Sequence, residues 1–369
     1  MEKKPAKAIV LLTTYDCNLR CIYCYEPKTA HHKMSIDTAK KCILQAIESM
    51  DDSLDGIIVQ FMGGEPLMQF DLIKEVTEWL WSTDLGTRIE NVQAPTNGTL
   101  LTDEIKEWLL QNRDKFRLSI SFDGDRLMQN MNRSGSFPKV DLDFFAKTYP
   151  NVPVKMTVSP ATVSHFYEGY KFLHDQGFRV VESSLAVGKD VGWKSEHLSV
   201  LRNELEKFIE YFANNPNIVR AGDFNIPVWN IFDKNLPDRS CKLGPEIVCY
   251  DYDGTTYPCH IFSPISMGKV DALKSTNFDF DDVRKAPTPC KRCLLNKLCV
   301  RCYGVNYKDR RNCVLPSAFD CAQYKLFFYA NCKLEKILAQ KNNDKRMEII
   351  IDKIIHLLTT KSKHYVRRT

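Results

Sequence analysis

This chain of 369 residues has no positively charged leader running into an apolar stretch, and no apolar run long enough to span a membrane. The first absence removes an export signal and argues for the cytoplasm, where thiols stay reduced. The second removes a membrane anchor. Excess positive charge of the kind that binds nucleic acid is also missing from most of the chain. The formal charge is +5, but residues 333–369 carry ten Lys/Arg against four Asp/Glu, which leaves residues 1–332 at −1. A near-neutral body argues against sequence-independent binding to a polyanion. No repeat of solenoid period is present. Cysteine is what the chain has in abundance: fourteen residues, which in a reducing compartment read as metal ligands rather than disulfide halves. At 44% hydrophobic, the chain is long enough for a large core and about two domains.

Up to about residue 235, short β-rich runs alternate with helical patterns, the signature of a parallel α/β unit. Strands are expected near 8–13, 57–61, 89–94, 117–122, 152–159 and 180–187. Helices are expected near 36–50 (with Ser35 as N-cap), 71–81, from 103, around 142–149, 163–176 and 196–212. Six such units predict an α/β fold, an open TIM-like (β/α)6 barrel whose chemistry sits on loops at the carboxyl ends of strands. From about residue 226 the character changes. The stretch to about 325 holds nine of the fourteen cysteines and little helical periodicity before Cys321, so metal stapling is its expected source of order. Expected boundaries are 1–235 for the barrel, 236–325 for the cysteine-rich domain and 326–369 for a C-terminal helix with a basic tail. Met347, Ile350, Ile351, Ile354, Ile355 and Leu358 form one apolar stripe, read as a helix docked on the barrel.

Cys17, Cys21 and Cys24 follow the first expected strand. Close thiolates hold soft metals and iron–sulfur clusters. A four-iron cubane held by three thiolates keeps one iron open, the mark of a catalytic centre. This run, with Tyr23 before the last cysteine, resembles the cluster motif of radical S-adenosylmethionine enzymes, in which the free iron chelates the cofactor's amino and carboxylate groups. A partial zinc site is the competing reading. Gly63-Gly64-Glu65-Pro66 follows the second strand directly: its glycines permit close backbone approach, and Glu65 puts a carboxylate where an ammonium group is held. It resembles the family loop that contacts the cofactor's amino group. The resemblance also assigns cofactor contacts to Asn97 and to Ser119, Ser121 and Asp123, and gives Arg133 the place of the arginine that pairs with the cofactor carboxylate. A simple turn at Asn97-Gly98 and a surface salt bridge at Arg133 are the plainer readings. The mechanism implied is reductive cleavage of the sulfonium to methionine and a 5′-deoxyadenosyl radical, which takes hydrogen from substrate. The cofactor carries the hard chemistry while the protein positions it.

A second cysteine field runs Cys241, Cys249, Cys259, Cys290, Cys293, Cys299, Cys302 and Cys321. Eight thiolates match two four-cysteine sites; the block from 290 to 302 alone also suits zinc. In context the field resembles the SPASM extension of radical S-adenosylmethionine enzymes. That resemblance implies one auxiliary [4Fe–4S] cluster on Cys241, Cys249, Cys259 and Cys302 and another on Cys290, Cys293, Cys299 and Cys321, three clusters in all. The two-residue gap between Cys299 and Cys302 departs from the family's usual three, which makes Cys313 a substitute for Cys302. Cys42 and Cys332 read as free thiols.

Relatives of this layout include anaerobic sulfatase-maturating enzymes and peptide maturases. With sixteen residues before Cys17, no room is expected for a leader-binding domain, which favours the sulfatase type or a maturase with a separate leader-binding protein. His260 points the other way, since sulfatase maturases carry an aspartate, assigned as base, just after the cysteine equivalent to Cys259. A histidine can accept a proton near neutral pH; a hydrogen bond near the cluster is the equal alternative. The expectation is therefore an oxidoreductase that oxidises or crosslinks a ribosomally made precursor peptide, fed electrons by a flavodoxin or ferredoxin. Formylglycine formation is the alternative, and a structural zinc protein with a nucleic-acid-binding tail the competing class. Lys361, Lys363, Arg367 and Arg368 are the expected contacts if the tail recruits an acidic leader; a solvated, frayed end is the plainer reading.

Overall fold

The computed structural model describes residues 4–26, 31–233, 235, 236, 241, 243, 244, 246–285 and 288–361. Lys363, Arg367 and Arg368 lie outside the described residues.

Six parallel strands build the barrel: β1 (Lys7–Thr14), β2 (Ile57–Gly63), β3 (Ile89–Thr96), β4 (Phe116–Ile120), β5 (Val154–Val158) and β6 (Val181–Leu185). β1 to β4 pair as neighbours, β5 pairs with β6, and a bridge between Ser121 and Lys155 joins the two sets. The alternation of side chains along each strand sets the layers. Val59, Phe61, Val92, Ala94, Leu118 and Ile120 turn outward into the core, whereas Gln60, Gln93, Arg117 and Ser119 face the lumen. The outer layer is α1 (Ile36–Glu48), α2 (Phe70–Ser82), α3 (Asp103–Asn112), α4 (Arg126–Asn132), α5 (Leu142–Thr148), α6 (Phe166–Asp175) and α7 (Ser195–Asn214). Ser35 caps α1 as expected, its hydroxyl accepting from Thr38 N at 3.1 Å. The helix buries Ala39, Cys42, Ile43 and Ala46 against the sheet.

The cysteine-rich stretch differs from expectation in two ways. It supplies β7 (Ile247–Tyr250), parallel to β1 in the barrel's own sheet, and β8 (Thr256–Tyr257) antiparallel to β7. It also contains short helices: α8 (Pro264–Met267), α9 (Lys269–Ser275), α10 (Phe280–Lys285) and α11 (Tyr303–Arg310). Such pieces are too brief for periodicity to reveal. α12 (Ala318–Lys341) starts three residues before Cys321, because Ser317 and Asp320 form a capping box. It packs on α7, while α13 (Lys345–Lys361) packs on α12 and on the 3₁₀ turn Val228–Phe232, so the apolar stripe docks on the barrel segment both directly and through α12. Phe327 of α12 joins Phe166 and Phe224 in an aromatic cluster that also includes Tyr170, Phe208 and Phe212. No helix among the described residues is long and apolar enough to cross a membrane.

Candidate active site

The loop after β1 carries Cys17, Cys21 and Cys24 on the carboxyl side of the sheet. It is fixed at several points: Ile22 N donates to Asn132 O at 3.0 Å, Arg20 N to Ser134 Oγ at 2.8 Å, and Cys24 N to Cys21 O at 3.1 Å. Burial raises the Cys21 thiol to about 11 against the pull of Arg133, with the charges of Cys24, Asp123 and Cys17 adding. The three thiols therefore occupy one electrostatic neighbourhood.

Gly63 and Gly64 let the next loop lie on this one. Gly64 N donates to Thr14 O at 2.9 Å and Glu65 N to Asp16 O at 2.8 Å. Gly63 has φ of +134°, and a Cβ on Gly64 would stand 2.2 Å from Asp16 O, so side chains are excluded at both positions. Pro66 opens a 3₁₀ turn, Pro66–Gln69. Glu65, 1% exposed, accepts from Leu67 N at 3.1 Å, Thr96 Oγ1 at 2.7 Å and Asn97 N at 2.7 Å. Burial raises its carboxyl against these donors. Glu65 thereby clamps the loops after β2 and β3 together. Asn97 reaches the cysteine loop, its Nδ2 donating to Asn18 Oδ1 at 2.8 Å.

Asp123, 0% exposed, is the hub beneath the cysteine loop. Its carboxylate accepts from the Tyr23 hydroxyl, from Asn132 Nδ2 at 3.1 Å and from Thr157 N at 2.9 Å, and lies 3.1 Å from Arg133 Nε. Arg133 stacks over the Tyr23 ring and brings Nη1 within 4.0 Å of Cys21 Sγ. Tyr23, Asp123 and Arg133 thus form one cluster against the thiols. Ser121 N bonds Thr96 O at 2.8 Å, whereas Ser119 lies farther down the lumen.

The second field divides in two. The charges of Cys302 and Cys241 add to the burial that raises Cys259 to about 12, and that of Cys259 adds to the burial that raises Cys249. Likewise Cys299 is raised to about 12 by burial, with Cys293, Cys321 and Cys290 adding. Cys259 thus neighbours Cys241, Cys249 and Cys302, and Cys299 neighbours Cys290, Cys293 and Cys321. Cys313 is near enough for the charge of Cys302 to act on it. Cys42 and Cys332 lie in the core.

Between the cysteine loop and the second field is a cavity of about 370 Å³, walled by residues 22–25, by the loop after β6 at 187–191, and by residues of the 261–268 and 305–309 stretches. Lys308 and Asp309 of α11 and Asp190 are its charged lining. Lys308 Nζ donates to Tyr25 O at 3.1 Å and is lowered by burial, while burial raises Asp309. Ile261 and Tyr25 line this space; the His260 ring lies 6.2 Å from that of Tyr25, and burial depresses its imidazole to about 4. Sequence reasoning missed Lys308, Asp309 and Asp190, for which spacing offered no signal.

An open parallel barrel with thiols gathered on the loops at its strand ends is the setting in which a metal cofactor is held. The family model for the Radical SAM superfamily matches residues 11–198, and the chain belongs to that superfamily. Membership implies S-adenosylmethionine and one [4Fe–4S] cluster as cofactors. A serine-type anaerobic sulfatase-maturating enzyme of Bacteroides thetaiotaomicron is 23% identical over 339 residues, 79% of this chain and 80% of that protein. Native anSMEcpe with bound AdoMet and the Cp18Cys peptide superposes with a TM-score of 0.69 at 20% identity, covering 92% of this chain and 100% of that one. SuiB of Streptococcus suis bound to its precursor peptide SuiA gives a TM-score of 0.56 at 14% identity, over 85% and 76%. At these identities the two structures testify to a shared fold.

Proposed function

We propose that the chain is a peptide maturase of the radical S-adenosylmethionine type with a SPASM domain and three [4Fe–4S] clusters. The observation that carries this reading is the cavity walled on one side by the Cys17–Cys24 loop and on the other by the cysteine-rich half. The thiol chemistry suits iron–sulfur clusters, and support comes from proximity: Cys17 and Cys24 act on Cys21, Cys241 and Cys302 on Cys259, and Cys290, Cys293 and Cys321 on Cys299. Cys17, Cys21 and Cys24 would hold the first cluster, Cys241, Cys249, Cys259 and Cys302 the second, and Cys290, Cys293, Cys299 and Cys321 the third. When bound, these groups supply reductive cleavage of S-adenosylmethionine to a 5′-deoxyadenosyl radical and an acceptor for the electron lost by the oxidised product.

The chain's own residues bind and orient. Asn97 and the 63–66 loop shape the cofactor's berth, and Tyr23, Asp123 and Arg133 hold one thiol and present a guanidinium to the cofactor carboxylate. The cavity takes the peptide, with Lys308, Asp309 and Asp190 meeting its polar groups. Solved neighbours bound to peptides, the Cp18Cys peptide in one and the precursor SuiA in another, support a peptide substrate. The sulfatase-maturase alternative draws on the Bacteroides relative. His260, whose ring lies 6.2 Å from that of the cavity residue Tyr25, is the candidate base, with a hydrogen bond near the cluster as the alternative. A flavodoxin or ferredoxin remains the electron donor of choice, with a separate leader-binding protein where the substrate has a leader.

Anaerobic reconstitution tests the reading. About twelve irons and twelve sulfides per chain are expected for three cubanes, together with 5′-deoxyadenosine on reduction. Zinc in place of iron, with no nucleoside released, overturns it.

A further inference from the structure

The barrel has a second cavity, of about 480 Å³, within the range of small-molecule sites. It lies toward the amino ends of the strands, away from the thiol-bearing loops. Its polar strand residues are Gln60 of β2, Gln93 of β3, Arg117 and Ser119 of β4, and Lys155 of β5, with Ala94, Pro95 and residues 151–153 completing the wall. All five follow from strand alternation, since their neighbours Val59, Val92, Leu118 and Val154 face the outer core.

The polarity of this cup is one-sided. Asn91 Nδ2 donates to Gln93 Oε1 at 2.6 Å, and Gln93 Nε2 donates to Gln60 Oε1 at 3.3 Å. The amide oxygens are therefore engaged, and the chain of bonds ends on the Gln60 amide N–H groups. Lys155 is neutralised by Glu182, directly opposite it on β6. Arg117 is exposed in the cup and meets no acceptor among the described residues. No carboxylate among the described residues lines the cavity. The result is a donor-rich hollow with one uncompensated positive charge.

We propose that this lumenal cup is a binding site for a small monocarboxylate, whose oxygens would meet the Arg117 guanidinium and the Gln60 amide. A guanidinium fork matches a carboxylate in shape, and a single negative charge balances Arg117, whereas a phosphate dianion would overshoot. The carboxylate is either a free metabolite or an acidic side chain of the substrate; only the second source rests on the peptide reading.

The test is binding without turnover, on the anaerobically reconstituted chain held unreduced. Butyrate and its neutral isostere butyramide are titrated by saturation-transfer NMR, alongside two hexapeptides identical except for Glu or Gln. Saturable binding of butyrate but not butyramide, weakened about tenfold or more by Arg117→Gln, is expected. Gln60→Leu, which keeps the volume, gives an independent second loss. Selectivity for the Glu peptide with no response to butyrate assigns the site to the substrate. If neither charged probe outcompetes its neutral partner, or Arg117→Gln leaves both unchanged, the proposal fails whatever the outcome of the iron and nucleoside assays.

Discussion

Asp123 receives three hydrogen bonds and faces Arg133 at 3.1 Å with no access to water. Removing one partner of such a buried pair strands the other charge, so Asp123→Ala should cost about 3–5 kcal/mol. Urea unfolding reads this directly, and adding Arg133→Met should recover part of the loss because the stranded guanidinium is then gone. Recovery would be absent if the two residues act independently. At this scale the sequence was legible where chemistry is written in spacing, as in the cysteine triad and the Gly63-Gly64 pair. It was illegible where a role depends on partners far along the chain. The engagement of Glu65 by Thr96 and Asn97, 31 and 32 positions away, has no local sign. Asp309 and Lys308 carry no local pattern, and only the meeting of α11 with the cysteine loop puts them in a cavity wall.

Between β6 and α12 runs a short turn, Gly222–Phe224, that ties the two together through Asn331 Nδ2, which donates to Asp223 O at 2.8 Å. Burial raises the Asp223 carboxyl to about 6 from 3.8, with the charge of Glu182 adding. The folded chain thus holds this proton more tightly than the unfolded chain. The carboxyl costs stability progressively as pH climbs from about 4 to about 6, and the cost stays in full above that. Asp223→Asn should accordingly stabilise the chain at pH 7 by on the order of 1–3 kcal/mol, with the gain shrinking toward pH 5. Equal urea midpoints for the two proteins across pH 5 to 8 would contradict this. Elements that repeat a period were readable in advance, and α1, α2 and α7 lie within two residues of expectation at their starts. Those set by one or two caps were not: α4 is seven residues opened by Asp125, and α12 begins early on the strength of Ser317. β7 was missed because four residues with both neighbours in a sheet show no alternation.

For the molecule as a whole, β7 ties the cysteine-rich half to the barrel through Ala8–Leu11 of β1. Val10 and Leu12 on β1 share a core with Cys249, Tyr257, Ile265 and Ala272 from beyond residue 235. A fragment of residues 1–235 should therefore leave β1 as an open, apolar edge and elute as aggregates on size exclusion. A monodisperse fragment with native helical content would mean that the barrel stands alone.

That shared strand also bears on how such chains diversify. A cassette joined by a linker can be exchanged between hosts wholesale, but a segment that enters the host's sheet brings a register with it. A chimera that shifts the pairing of Ile247–Tyr250 by one residue would turn Cys249 to the opposite face and lose a thiol from its set. Shuffling of this half among related barrels is thus constrained at the junction, while the cavity-facing residues of α11 lie outside the shared sheet and carry no such register.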